Sequence, residues 1–145
     1  MWGLVNFASG PGEVTRAVVD AGVTPFIVEL AGAHPVPTVA ENAAWALGNI
    51  AGDSTQLRDL VLGLGAVDAV NGAITRHASD PSSGALRIGL IRNCAWTLGN
   101  LMRGKPPPAR EYVEPAIVLA SSLLQNVSDD EVAIDALWCF AYASE

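Results

Sequence analysis

Four tryptophans recur along this chain, and each is followed four residues later by a polar partner. The pairs are Trp2 with Asn6, Trp45 with Asn49, Trp96 with Asn100, and Trp138 with Tyr142. Residues i and i+4 lie on the same face of an α-helix, so each pair would present a flat ring beside a hydrogen-bonding group. An indole face attracts the cation of Lys or Arg, and a carboxamide can donate to and accept from a peptide backbone. The pattern therefore predicts a surface that binds an extended peptide, rather than a catalytic centre.

Charge indicates which peptides such a surface would prefer. The net charge is −7, with 15 acidic and 8 basic residues. An acidic surface disfavours nucleic acid, whose phosphates need Lys and Arg, and it favours the encounter with a basic partner. Asp53 lies eight residues after Trp45 and is the best candidate for pairing with a bound Lys. A charge-assisted pair of this kind contributes about 1.5–3 kcal/mol.

The residues that usually carry catalysis are poorly placed for it. His34 and His77 fall in predicted loops without a neighbouring nucleophile and a third partner. Cys94 and Cys139 fall on inward-facing helical stripes and form neither a disulfide framework nor a metal-ligand cluster. The chain has no P-loop and no dinucleotide fingerprint, and no apolar run of membrane-spanning length. We expect no enzyme activity, no catalytic residue, no cofactor, no metal site, no nucleic-acid partner and no membrane partner.

The spacing of the tryptophans indicates the elements that position them. Successive tryptophans are 43, 51 and 42 residues apart, and helical repeats of about 40–47 residues are typical of armadillo and HEAT solenoids. We therefore predict an all-α, right-handed superhelical solenoid of about three to four armadillo repeats, truncated at both ends. The predicted array is a single domain over 1–145, with a partial repeat at 1–9 and repeats at 10–51, 52–104 and 105–145.

Local signals divide each repeat into helices. The predicted helices are 12–21, 23–32, 37–51, 54–63, 65–78, 85–103, 109–113, 114–126 and 129–144. Gly22 and Gly65 are predicted to be sharp turns, and the prolines at 106–108 are predicted to end the helix before them. Residues 77–89 are interpreted as a loop that absorbs the longer spacing before Trp96. Asp129 and Asp130 are predicted to cap the last helix.

The third helix of each repeat is predicted to have an apolar stripe opposite its tryptophan. The inward residues are Val39, Ala43, Leu47 and Ile50 in one helix, Cys94, Leu98 and Leu101 in the next, and Ala136, Phe140 and Ala143 in the last. Because these stripes already supply a core, the tryptophans are predicted to face a shared concave surface.

These third helices resemble those of the importin-α family of nuclear-import adaptors, in its central armadillo repeats. The similar segments are WGLVNFASG (2–10), ENAAWALGNIAGDS (41–54), RNCAWTLGNLMRGKPPP (92–108) and DALWCFAYASE (135–145). The resemblance covers essentially the whole chain. It departs from the family pattern at Asn42, where Gln is usual, and at Tyr142, which replaces the Asn of the ladder.

The resemblance implies an adaptor fragment, found in cytoplasm and nucleus, that binds lysine- and arginine-rich nuclear localisation signals. It also implies importin-β as a partner, through a segment absent from this chain. By resemblance, the residues that would line the lysine pockets are Trp2, Trp45 and Trp96. Those that would hold the signal's backbone are Asn6, Asn49 and Asn100. Those that would hold the key lysine are Gly10, Thr15 and Asp53. Those that would extend the groove are Asn42, Asn93, Asp135, Trp138 and Tyr142, with Arg103 at its margin.

One alternative stays open at this stage. An armadillo scaffold of the catenin type would bind other extended segments, including acidic ones. Its groove would need to be basic, and Arg103 is the clearest cation on the predicted groove stripe.

Overall fold

A computed structural model describes residues 12–78 and 84–145 of the chain, and in that part all regular structure is helical. The helices are α1 (Gly12–Asp20), α2 (Thr24–Ala33), α3 (Pro37–Asp53), α4 (Thr55–Gly63), α5 (Ala66–His77), α6 (Gly84–Met102), α7 (Arg110–Asn126) and α8 (Asp130–Ala143). The predicted partial repeat at 1–9, with Trp2 and Asn6, lies outside the described residues, and so does Gly10.

The helices form two layers. In one layer α3 packs along α6, and α6 packs along α8. In the other layer α2 packs against α5. The two layers meet where α2 contacts α3 and where α7 contacts α8. Each of the helices α3, α6 and α8 carries one Trp pair, so the stacking places the pairs on neighbouring helices whose axes lie about 8–10 Å apart.

Small side chains allow this close stacking. On α3 the buried residues are Ala40, Ala43, Ala44, Ala46, Leu47, Gly48, Ile50 and Ala51. The predicted inward residues of α6, Cys94, Leu98 and Leu101, are fully buried, which confirms that stripe. On α8, Ala136 is fully buried while Phe140 is half-buried.

Glycines and prolines end the helices largely where the sequence indicates. Gly22 and Gly65 have φ values of 74° and 89°, in the left-handed region that favours glycine, so the predicted turns are confirmed. Helix α6 ends at Met102, before the three prolines, as predicted. Asp129 is the N-cap of α8, and its Oδ1 accepts from the amide of Val132 at 3.1 Å.

The predicted break at 113/114 is wrong, because α7 is one continuous helix with Pro115 inside it. A proline in that position removes one backbone hydrogen bond. The buried stripe of α7 outweighs this loss, because it continues at helical spacing through Ala116, Leu119, Ala120 and Leu123.

The loop interpreted at 77–89 is too broad, whereas the predicted helices 65–78 and 85–103 agree with α5 and α6 to within one residue at each end. Residues from Gly84 onward are helical, and Ile88 packs against the core in the second turn of α6. His77 was expected in a loop but is buried in the last turn of α5. Its Nε2 lies 3.1 Å from the carbonyl oxygen of His34, so it joins α5 to the turn after α2.

Candidate peptide-binding face

Trp96 is positioned by direct contact with the backbone of α3. A Cβ placed on Gly48 would lie 2.9 Å from Cε3 of the Trp96 ring, so the indole occupies the space that a side chain would need. Next to it, Oγ1 of the buried Thr97 donates to the carbonyl of Ala44 at 2.9 Å. The ring is half-buried, which leaves it less open than the sequence pattern predicts, because its edge is inserted between two helices.

Asn100, the partner of Trp96, also lies beside a glycine of α3. Its amide group is 3.6 Å from the position that a Cβ on Gly52 would occupy. Gly48 and Gly52 are four residues apart, so they lie on one face of α3 and receive the two members of the α6 pair. This role was not inferred from the sequence, although the spacing of the two glycines is the signal that could have shown it.

The facing side chains of α6 and α8 enclose one cavity of about 210 Å³. The candidate residues that line it are Trp96, Asn100, Arg103, Asp135, Trp138 and Tyr142. Trp138 is 52% exposed and stacks on Tyr142, with ring centroids 5.3 Å apart and planes inclined by 22°. The structure thus brings together six of the candidate residues around one space.

Asp135 gives this cavity an acidic group. Burial raises the pKa of its carboxyl, and the charge of Glu131 raises it further. A cation placed in the cavity would offset both effects, because it would stabilise the ionised carboxylate. Arg103, at the margin of the cavity, has an exposed side chain.

The candidate binding residues of α3 lie in the same layer of helices as this cavity. Trp45 is half-buried and packs against the edge of the core, and Asn49 and Asn42 are half-buried as well. Asn93 of α6 donates from Nδ2 to Oε1 of Glu41 at 2.8 Å. Glu41 was not predicted to belong to the site. Burial raises the pKa of its carboxyl, and the hydrogen bond from Asn93 partly counteracts this.

Asp53 is the last residue of α3 and lies beside the first residue of α1. Its Oδ1 is 2.9 Å from the position that a Cβ on Gly12 would occupy, and the side chain is exposed. Thr15, one turn along α1, is buried. A peptide that reached this end would meet the carboxylate of Asp53 more readily than the hydroxyl of Thr15.

Arg58 is a buried residue that holds the turn next to the candidate peptide-binding face. The sequence analysis did not predict this role. Its guanidinium is fully buried and donates to the carbonyls of Arg103, Gly104 and Pro106 at 2.9, 3.2 and 2.8 Å. Its Nη2 also lies 2.8 Å from Oδ1 of Asp59. Arg58 therefore fixes the turn that carries Arg103. The signal in the sequence is that Arg58 falls at i, i+4 spacing with the buried Leu62 of α4.

A second arginine joins α6 to α8. Arg92 makes a bidentate contact with Asp129, with Nη2 2.7 Å from Oδ2 and Nε 3.1 Å from Oδ1, and it also contacts Glu131 at 3.1 Å. The hydrogen bond from Arg92 holds the pKa of Asp129 below its usual value, with a further contribution from the amide of Val132.

Other kinds of site find little support in residues 12–78 and 84–145. That part of the chain contains no group of three or more His, Cys, Asp or Glu side chains that could hold a metal ion. None of its helices combines the length and apolarity needed to cross a bilayer. Cys94 and Cys139 are buried free thiols, as predicted.

Known proteins are similar to this chain. The armadillo/beta-catenin-like repeat family matches residues 13–52. Importin subunit alpha-2 of Arabidopsis thaliana is 41% identical over 144 residues, which cover 99% of this chain and 25% of that protein. Probable importin subunit alpha-A of Dictyostelium discoideum is 36% identical over 151 residues, covering 97% and 27%. These matches show an importin-α-like armadillo segment. It spans about a quarter of the length of these importin-α relatives.

A solved structure supports the fold of this chain. The crystal structure of an engineered protein superimposes with a TM-score of 0.75 at 24% identity, covering 97% of this chain and 53% of that one. Together with the family match, it confirms the all-α armadillo solenoid predicted from the sequence. The repeat boundaries and the roles of the individual face residues stay predictions.

Proposed function

We propose that this chain is a non-enzymatic segment of a nuclear-import adaptor, which binds lysine- and arginine-rich nuclear localisation signals as extended peptides. The observation that carries the proposal is the cavity between α6 and α8. It combines two tryptophans, the amide of Asn100 and the carboxylate of Asp135, while the exposed Arg103 lies at its margin. Aromatic faces and a carboxylate around one space suit a long cationic side chain better than an anion.

The geometry matches an extended peptide. Stacked helices lie about 8–10 Å apart, and an extended chain advances about 6.5–7 Å per two residues, so side chains two or three residues apart would reach successive Trp pairs. The ring faces would contact the aliphatic stem of a Lys, with a cation–π contribution of about 0.5–2 kcal/mol at each position. The amides of Asn49 and Asn100 would bind the peptide backbone, which requires no particular sequence.

The wider role follows from the family. In this proposal the protein moves between cytoplasm and nucleus, and its partners are the cargo signals and importin-β. The importin-β contact is made by residues outside 1–145.

The test is a fluorescence anisotropy titration of the folded chain with a labelled lysine-rich peptide. We expect Trp96→Ala and Trp138→Ala each to weaken binding by about tenfold or more, as for central aromatic anchors. Phe26→Ala is the matched control, because Phe26 is an exposed aromatic residue on α2, away from the face. Equal, weak binding by all four proteins would refute the proposal. Tighter binding of an acidic peptide would favour the catenin-type alternative.

A further inference from the structure

A furrow runs between α5 and α7, two helices that contribute none of the Trp pairs. It consists of two adjoining cavities of about 520 and 170 Å³. Residues that line both cavities are Val67, Asp68, Glu111 and Pro115. The furrow shares no lining residue with the cavity between α6 and α8, so both spaces can be occupied at once.

The furrow lies where α5 and α7 pack less closely than the preceding pair, α2 and α5. Between α2 and α5, a Cβ on Gly72 would lie 2.8 Å from the carbonyl oxygen of Gly32, so the two backbones touch. Helix α7 contains no glycine, and its exposed residues Val118 and Ser122 line the furrow.

The floor of the furrow is apolar and partly open to solvent. Val67 and Leu119 are each 7% exposed and form its base, and Val118 is 69% exposed beside them. Pro115 adds a further exposed apolar surface next to this base. Exposed apolar surface bordered by charged residues is typical of a protein interaction site.

The rim at one end of the furrow is acidic. Asp68, Glu111 and Glu114 all have exposed side chains there. Arg110 neutralises Glu114 through a contact of 2.6 Å. Asp68 and Glu111 make no ion pair within the described ranges of the chain, so two carboxylates remain to receive a cation.

We propose that this furrow binds an amphipathic α-helix of a partner protein, with its apolar stripe on Val67, Val118 and Leu119 and with Lys or Arg at the end that meets Asp68 and Glu111. The residues of α7 that line the furrow run from Glu111 to Ser122, about 16 Å along the helix axis, which matches a ligand helix of about three turns. Helices bind such grooves through apolar residues at i, i+3, i+4 and i+7. A second copy of this chain fits less well, because its net charge of −7 would face the acidic rim.

The test uses a labelled synthetic helix with leucines along one face and lysines in its last turn, added to the folded chain. An unlabelled lysine-rich extended peptide is present at saturation, so that the candidate peptide-binding face with its Trp pairs is occupied. We expect binding that Val118→Glu weakens by about tenfold or more. Leu60→Glu is the matched control, because Leu60 is an exposed apolar residue of α4 outside the furrow, and it should leave binding unchanged.

A charge exchange tests the orientation of the ligand helix. Glu111→Lys should weaken binding of the lysine-ended helix several-fold, and it should strengthen binding of an otherwise identical helix that ends in glutamates. Circular dichroism would show whether Val118→Glu fails to fold. In that case Glu111→Lys still tests binding in the furrow, because Glu111 is exposed and its substitution should not disturb the fold.

Three results would overturn the proposal. They are an absence of binding, binding of the helix only when the extended peptide is left out, or equal weakening by Leu60→Glu and Val118→Glu. Self-association of the chain that Val118→Glu abolishes would instead assign the furrow to a second copy. Loss of extended-peptide binding in Trp96→Ala tests the adaptor function separately, because Trp96 lies outside the furrow.

Discussion

The ring of Trp96 lies in the space that a side chain on Gly48 would fill, with Cε3 2.9 Å from the position of that missing Cβ. Gly48 is buried in the middle of α3, where a glycine normally costs about 0.5–1 kcal/mol relative to alanine. The contact explains why a glycine is present, because it lets an aromatic ring of one helix approach the backbone of the next.

Gly48→Ala is therefore expected to destabilise the chain. Overpacking costs about 1–3 kcal/mol, which exceeds the gain in helix propensity, and it would displace the Trp96 ring towards solvent. Urea unfolding followed by circular dichroism measures the first effect, and tryptophan fluorescence measures the second. Gly52→Ala is the control, because its Cβ would lie 3.6 Å from Asn100, an ordinary contact. Equal stability of the two variants would contradict this explanation.

Arg58→Lys is expected to lower the free energy of unfolding by about 2 kcal/mol or more. A lysine keeps the charge but cannot reproduce the planar set of donors that reaches three carbonyls. Arg110→Lys is the control, because Arg110 is 90% exposed and should change stability by less than about 0.5 kcal/mol. Binding of the lysine-rich peptide should also weaken in Arg58→Lys, since the turn with Arg103 loses its support. A variant as stable as the original chain would show that the turn is held by other contacts.

The sequence allowed the prediction of those features that depend on local chemistry and helical periodicity. The stripe of Cys94, Leu98 and Leu101, the turns at Gly22 and Gly65 and the cap at Asp129 all follow from short-range rules. Each of them involves residues within one helix or one turn, so the outcome hardly depends on the rest of the fold.

The features that were missed depend on contacts between repeats. Arg58 reaches carbonyls 45 to 48 residues away, and Gly48 receives the Trp96 ring from the neighbouring helix. The break predicted near Pro115 failed for a related reason, because burial of α7 against other helices outweighed a local helix-breaking signal. Pairings of this kind need the stacking geometry, which the period of the repeat indicates only approximately.

Cys94 and Cys139 are expected to react slowly with iodoacetamide in the folded chain. Burial raises the pKa of the Cys94 thiol to about 12, with a contribution from the charge of Glu41, and it raises that of Cys139 to about 11. The thiolate is the reactive form, so at pH 8 only about one thiol in a thousand or fewer would be ionised. Mass spectrometry after alkylation with and without urea measures the difference. Rapid modification without urea would contradict the burial of these thiols.

Asp129→Asn is expected to destabilise the chain at neutral pH and to have little effect in acid. The folded-state pKa of Asp129 is lowered, so its stabilising contribution is present above the unfolded value of about 3.9 and is lost as the pH falls through the folded value. Asparagine still caps a helix, so the variant isolates the pairing with Arg92. Thermal melts between pH 7 and pH 3 measure the effect, with Asp130→Asn as the neighbouring control. A difference that does not shrink in acid would assign the effect to the cap instead.

Glu41→Gln is expected to have the opposite dependence on pH. Burial raises the folded-state pKa of Glu41, so the folded chain holds this proton more tightly than the unfolded chain does. Ionisation therefore destabilises the fold as the pH rises from the unfolded value of about 4.3 through the folded value, and the cost persists at neutral pH. Glutamine removes this cost, while its carbonyl oxygen can still accept from Nδ2 of Asn93. The variant should be more stable than the original chain at pH 7 and closer to it at pH 4, and Glu29→Gln, the same substitution at an exposed position of α2, is the matched control. Lower stability of Glu41→Gln at pH 7 would contradict this prediction, because it would mean that the surroundings of Glu41 stabilise its charge.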